Sequence, residues 1–116
     1  MADSQELARV FKASSVDTRV RMLELLKRRA LCVNALAREL GVTPAAVSQH
    51  LRVLRAADIV IAEKRGYFVH YRVNEATLAR WRELTDGFLR LDGQAEPVLI
   101  GGGRVASEQQ DSRRGG

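Results

Sequence analysis

The chain predicts a mainly α domain carrying one small β-hairpin, and three features of the sequence carry that prediction. Apolar residues recur every three or four positions in successive stretches from Leu7 to Leu40, from Val47 to Leu54 and from Leu78 to Leu91. After Ala57 the period drops to two, the spacing of a strand. The breaks fall at Ser, Thr-Pro, Asn and Gly, residues that start or stop helices. With 116 residues there is room for one such domain.

Leu7, Val10 and Phe11 define a short first helix, interrupted by Ser14-Ser15. Ser15 is expected to cap a second helix with Asp17 in its first turn, favourable at the positive end of the dipole. That helix turns Val20, Leu23 and Leu26 inward and ends near Arg29. A third helix runs from about Val33 to Leu40 and stops at Gly41. Thr43 then serves as N-cap and Pro44 as first residue of a fourth helix, so the two are joined by a tight turn. On the fourth helix Val47, Leu51 and Leu54 form one apolar stripe, while Ala45, Ser48, Gln49 and Arg52 lie opposite. Ile59, Ile61 and Glu63 alternate with Val60, Ala62 and Lys64, and Tyr67, Val69, Tyr71 and Val73 alternate with Phe68, His70 and Arg72. Two strands follow, with Arg65-Gly66 as the expected turn, or a loop one residue longer because Arg-Gly is a weaker turn signal than Asn-Gly, and with Lys64 and Arg65 at its tip. Asn74 can cap a last helix whose Leu78, Trp81, Leu84, Phe88 and Leu91 share one side. Residues 1–92 are thus expected to form the domain. Residues 93–116, with six of the nine glycines, are expected to be a flexible tail.

Charge narrows the partner. The 19 basic and 14 acidic residues give a net charge of +5, and the tail holds three of each sign, so the excess belongs to residues 1–92. Between Pro44 and Arg72 the cations Arg52, Arg55, Lys64, Arg65 and Arg72 face only Asp58 and Glu63, an excess suited to a polyanion. The outer face of the fourth helix offers small residues, a hydroxyl, an amide and a guanidinium, with no acid between Thr43 and Ala57. Such a face suits the base edges and phosphates of a major groove. One cysteine, Cys32, excludes an intrachain disulfide framework, and no N-terminal apolar run resembles a signal peptide or a membrane span. A cytoplasmic protein without a membrane partner is expected.

Helix, tight turn, helix and hairpin together make a winged helix-turn-helix. Leu31-Cys32-Val33, Val47-Ser48-Gln49-His50-Leu51-Arg52-Val53-Leu54-Arg55 and Val69-His70-Tyr71-Arg72 resemble the ArsR/SmtB family of bacterial transcriptional repressors over residues 5 to 91. The resemblance implies a homodimer held by the first and last helices. It implies binding to an inverted repeat in double-stranded DNA and release by an inducer. It places Ser48, Gln49 and Arg52 in the major groove, with Lys64 and Arg65 of the wing near phosphates or the minor groove. Thr43, Ala45, His50 and Arg55 complete the expected DNA-binding set. Asp58 stands where the family often has glycine, and a left-handed Asp costs about 1 kcal/mol.

For the dimer the expected residues are Leu7, Val10, Phe11, Leu78, Trp81, Leu84 and Phe88, because a small core gains by pairing a terminal helix that carries large rings. The sensor is less defined. Arsenic-responsive members of the resembled family carry a Cys-Val-Cys triplet, and soft ions need several thiolates at once. Here the triplet is Cys32-Val33-Asn34, and no histidine follows His70, so neither the metalloid site nor the last-helix zinc or nickel site is expected. No metal and no cofactor are expected. Cys32, at a helix start, is a candidate sensor thiol for a redox or electrophilic inducer, but a small half-buried residue of the motif is the favoured reading, since a lone thiol has no resolving partner within the chain. A small-molecule inducer is the other option. No Gly-rich phosphate loop, pocketed carboxylate pair or Ser/His/Asp set points to an enzyme. The competing class is a winged-helix binding module, for architectural DNA, RNA or a protein, that has no inducer switching.

Overall fold

A computed structural model of the chain describes residues 2–91 and two short strands, Leu99–Ile100 and Arg104–Val105. The helices are α1 (Ala2–Ala13), α2 (Asp17–Leu26), α3 (Val33–Leu40), α4 (Pro44–Ala56) and α5 (Glu75–Leu89). Between α4 and α5 lies an antiparallel hairpin, β1 (Val60–Arg65) with β2 (Phe68–Val73), and near the C-terminus β3 (Leu99–Ile100) pairs antiparallel with β4 (Arg104–Val105). Apart from that short ladder, the expected flexible tail lies outside the described residues. No helix among the described residues is long and apolar enough to cross a membrane.

The core is built by α2, α3 and α4 and closed by the base of the hairpin. Met22, Leu26, Leu36, Val47, Leu54 and Ile59 are its largest fully buried side chains, each worth roughly 1.5–3 kcal/mol of burial. Val47, Leu51 and Leu54 occupy the inner side of α4 as their spacing requires. Helix α3 ends where Gly41 turns to φ 69°, a left-handed cap that glycine adopts without steric cost. Thr43 then accepts a 3.1 Å hydrogen bond from the Ala46 amide, with Pro44 in the first turn. The α3–α4 turn therefore has both of its expected signals in place.

Four local expectations are corrected. Ser15 does not cap α2: its hydroxyl donates back to the Lys12 carbonyl at 2.9 Å, and Val16 occupies the N-cap with no side-chain cap bond. Helix α2 ends at Leu26 rather than near Arg29, and it is rotated so that Met22 is buried while Val20 is exposed. The rotation follows from α3 and α4 packing on the side that carries Met22 and Leu26. The hairpin turn is Gly66-Tyr67, one residue later than expected, because Arg65 pairs with Phe68 in the ladder. Gly66 has φ 65°, so a two-residue loop with positive φ at its first position closes the hairpin.

Two features were not legible in advance. Leu31 and Tyr71 exchange backbone hydrogen bonds of 3.0 and 2.8 Å, so the approach to α3 adds a one-residue rung to β2. The Asn74 amide bonds the Ile59 carbonyl at 2.8 Å to close the hairpin base, whereas Asp58 adopts φ 63°, the left-handed conformation that the resemblance implied there.

Candidate nucleic-acid interface

The buried stripe of α4 fixes which residues face out. Thr43, Ala45, Ser48, Gln49, Arg52 and Arg55 are all exposed, and His50, at the border of the stripe, is half-buried. Because α4 is held by α3 behind it and capped by Thr43 in front, these side chains project from a rigid element. A shallow concavity of about 410 Å³ separates α4 from the wing, with Ser48, Arg52 and Arg55 on one wall and Tyr71 on the other. Its two guanidiniums have no carboxylate partner among the described residues. An anionic backbone entering this concavity meets cations and a hydroxyl and no acidic side chain.

The wing separates its two expected cations. Ladder register puts Val60, Ala62 and Lys64 on the face that leads to the core, opposite Val73, Tyr71 and Val69. Arg65 belongs to the other face, with Glu63, and the tip expected to carry both cations carries Gly66 and Tyr67 instead. Arg65 lies 3.4 Å from the Glu63 carboxylate, which Arg72 holds more closely at 3.0 Å. Hydrogen bonding from Arg72 first, and then its charge, hold the Glu63 carboxyl below its ordinary range. Lys64 is exposed and takes no part in an ion pair among the described residues, so of the two it presents the freer charge. Tyr67, Phe68 and Val69 are exposed beside it; assigning them to a strand hid Tyr67, and counting a two-residue loop would have found it.

The other surface that the sequence singled out is where α1 meets α5. Arg80 of α5 donates to Glu6 at 3.0 and 3.1 Å and to Asp3 at 3.2 Å, clasping the two helices. Its hydrogen bonds, more than charge alone, lower the Glu6 pKa and raise that of Arg80 itself. Phe11 and Phe88 meet edge to face, centroids 5.5 Å apart. Of the expected dimer residues, Val10 is buried within its own subunit, while Leu78 and Trp81 lean on their own core. Leu7 and Leu84 are half-buried; Phe11 and Phe88 stay open, joined by Leu89 and Leu91. Leu89 escaped the spacing argument because it lies one position off the stripe.

Cys32 occupies the N-cap of α3, half-buried, and its side chain makes no cap hydrogen bond. His70 is half-buried on β2, with its Nδ1 shielded and unpartnered. Among the described residues no group of three or more His, Cys, Asp or Glu side chains is placed to hold a metal ion.

This geometry has relatives. The family model for bacterial regulatory proteins of the arsR family matches residues 17–62, from the start of α2 into β1. The transcriptional repressor SdpR of Bacillus subtilis (strain 168) is 32% identical over 69 residues, which cover 60% of this chain and 77% of that protein. An ArsR-like transcriptional regulator from Rhodococcus sp. RHA1 superposes with a TM-score of 0.69 at 26% identity, over 99% of this chain and 92% of its own. The homodimeric winged helix-turn-helix DNA-binding domain of a possible ArsR-family regulator from Mycobacterium bovis gives a TM-score of 0.61 at 26% identity, over 82% of this chain and 92% of that fragment. The chain thus spans 77% of the length of SdpR and 49% of that of the regulator KmtR of Mycobacterium tuberculosis, to which it is 39% identical over 64 residues.

Proposed function

The chain belongs to the ArsR family of bacterial transcriptional regulators, and from that premise we propose that it is a repressor that grips an inverted-repeat operator as a homodimer and leaves it when an inducer binds. The observation that carries this reading is the two-sided α4: a fully buried stripe behind, and Ser48, Gln49, Arg52 and Arg55 exposed in front. Gln49 and Arg52 read base edges, Thr43, Arg55 and Lys64 take phosphates, and Ala45 and Ser48 let the helix approach closely. Pairing two copies through the open rings on α1 and α5 sets two readers about one DNA turn, ~34 Å, apart.

The inducer in this reading is a small organic molecule or a thiol-reactive signal acting at Cys32. One thiol per chain, with Asn34 where the arsenic-responsive pattern has a second cysteine, does not supply the ligand count of a soft ion. Arsenite or zinc at micromolar concentration is therefore expected to leave the operator complex intact, and release abolished by Cys32→Ser would overturn that expectation. The function itself is tested with duplexes recovered by the wild-type chain from a random-sequence library. The expected outcome is an inverted repeat bound at least ~1000-fold more tightly than scrambled DNA at fixed salt. Equal affinity for both would leave an architectural DNA binder instead of a repressor.

A further inference from the structure

A second concavity, of about 440 Å³, opens where α1 and the first turns of α5 meet the end of α4. Its size is within the roughly 300–1,000 Å³ of small-molecule sites. Four charged side chains line it, and two of them are already matched, since Arg80 donates to Glu6 at 3.0 and 3.1 Å. Arg9 and Asp58 are left over. Both are exposed, and neither forms an ion pair among the described residues, with the other or with a third group. The charge of Arg9 makes the last and least of the contributions that lower the Glu6 pKa. The rest of the lining is uncharged: alanines, Asn74, Thr77 and the half-buried ring of Trp81.

The backbone at Asp58 agrees with a role for its side chain. A φ of 63° is a conformation that glycine adopts freely and a side chain only with strain, so a carboxylate is kept here where its absence would ease folding. The two charges then select the ligand. An anion is attracted by Arg9 and repelled by Asp58, a cation the reverse, and a neutral molecule gains from neither. Only a molecule carrying both signs is held at both ends. The cleft also joins the two halves of the chain, because Asp58 follows the reader helix whereas Arg9 and Trp81 belong to α1 and α5. A ligand bridging them fixes how the reader sits on those helices, and in a homodimer the spacing of the two readers follows from that angle.

We propose that this cleft is an effector site for a small zwitterion of the α-amino acid class, its carboxylate on Arg9, its ammonium on Asp58 and its apolar body against Trp81. The effector role rests on the repressor reading given above; the ligand site itself does not.

Trp81 is the single tryptophan of the chain, so its fluorescence reports on the cleft directly. The probes are L-phenylalanine and L-leucine, with hydrocinnamate, which lacks the ammonium, and phenethylamine, which lacks the carboxylate. Each is titrated into the full chain by fluorescence and by calorimetry. The amino acids are expected to bind, and the two single-charge analogues to bind at least about tenfold more weakly than phenylalanine. Arg9→Gln should weaken phenylalanine about tenfold and leave phenethylamine unchanged. Asp58→Gly should weaken phenylalanine by a similar factor and leave hydrocinnamate unchanged, and because glycine relieves the backbone, misfolding does not account for that loss. Saturating amino acid should weaken binding to the duplex recovered by the wild-type chain roughly 5- to 150-fold. No response to either amino acid at millimolar concentration overturns the proposal, as do hydrocinnamate binding as tightly as phenylalanine and variants that keep wild-type affinity. An operator complex untouched by bound amino acid overturns the effector role. A chain that binds the amino acids as described but recovers no duplex keeps the ligand site while the repressor reading fails. One that recovers an inverted repeat but binds neither amino acid keeps the repressor reading and loses this site.

Discussion

The two halves of this molecule are finished to different degrees. In the reader, α2, α3 and α4 enclose side chains with essentially no solvent contact, and the one-residue rung at Leu31 and the hydrogen bond from Asn74 tie the hairpin to them. In the other half α5 has no buried residue, and Phe88, Leu89 and Leu91 are 62%, 70% and 90% exposed. Between α1 and α5 the directional contacts are one ring pair and an exposed arginine clasp, while Val10 and Ala13 are the buried residues of α1. An exposed ion pair is weak because water screens it and its long side chains lose freedom. The difference teaches that the reader is a complete small fold, whereas the α1–α5 face gains most of its stabilisation only when something covers it.

The largest effect should come from the finished half. Leu54→Ala removes a fully buried side chain from the centre of the core, and the expected loss is about 2–5 kcal/mol in urea unfolding followed by circular dichroism. A loss below ~1 kcal/mol would mean that the reader is not the better packed region.

Phe88→Glu probes the unfinished half. Trp81 leans on its own core, so changing it would confuse folding with assembly; Phe88 is open and offers the cleaner test. The expected result is monomers in sedimentation with unchanged helix content, together with a collapse of operator affinity, since single half-sites no longer reinforce one another. A wild-type protein that is already monomeric at micromolar concentration would break the comparison outright.

Gln49→Ala and Arg52→Ala should each cost roughly 1–3 kcal/mol on the recovered duplex and little on random DNA. Equal losses on both would demote them to phosphate contacts. Lys64→Ala should weaken all sequences alike and reduce the salt slope by about 1.8, or about 0.9 for each copy of the dimer. Arg65→Ala should do less, because its guanidinium is shared with Glu63. If Arg65 proves the stronger of the two, the division of the wing into two faces is wrong.

The smallest effect concerns acid. Folding depresses the Glu6 carboxyl below 4.5, chiefly through the hydrogen bond from Arg80. Its contribution is therefore fully present above that value and is lost as pH falls through the lower folded pKa. Urea midpoints of wild type should drop in that acid window more than those of Glu6→Gln, and identical profiles would show that the clasp carries no stability.

Periodicity was enough for α3, α4 and the start of α5, because Gly41, Thr43-Pro44 and Asn74 mark ends by local chemistry that no distant residue overrides; α5 stops at Leu89, so Leu91 of the expected stripe lies beyond it. The left-handed backbone of Asp58 was legible only through the resemblance, whose members often carry glycine at that position. Helix α2 was not: its facing depends on which side α3 and α4 approach, and both Val20 and Met22 are apolar enough to be chosen. The turn shifted because the ladder, and not the glycine, sets where pairing stops.

The same division runs through the candidate interface. The composition of α4 determined which residues could touch DNA, since a stripe of Val47, Leu51 and Leu54 leaves Ser48, Gln49 and Arg52 nowhere else to point. Only the tertiary structure decided that Arg65 is the last rung of β1 and not part of the turn, that Glu63 engages it, and that an aromatic residue crowns the wing. Cross-strand register and ion pairing join residues that are far apart in the chain or displaced by one step. A period read along the sequence fixes direction around an element but not the neighbour across from it.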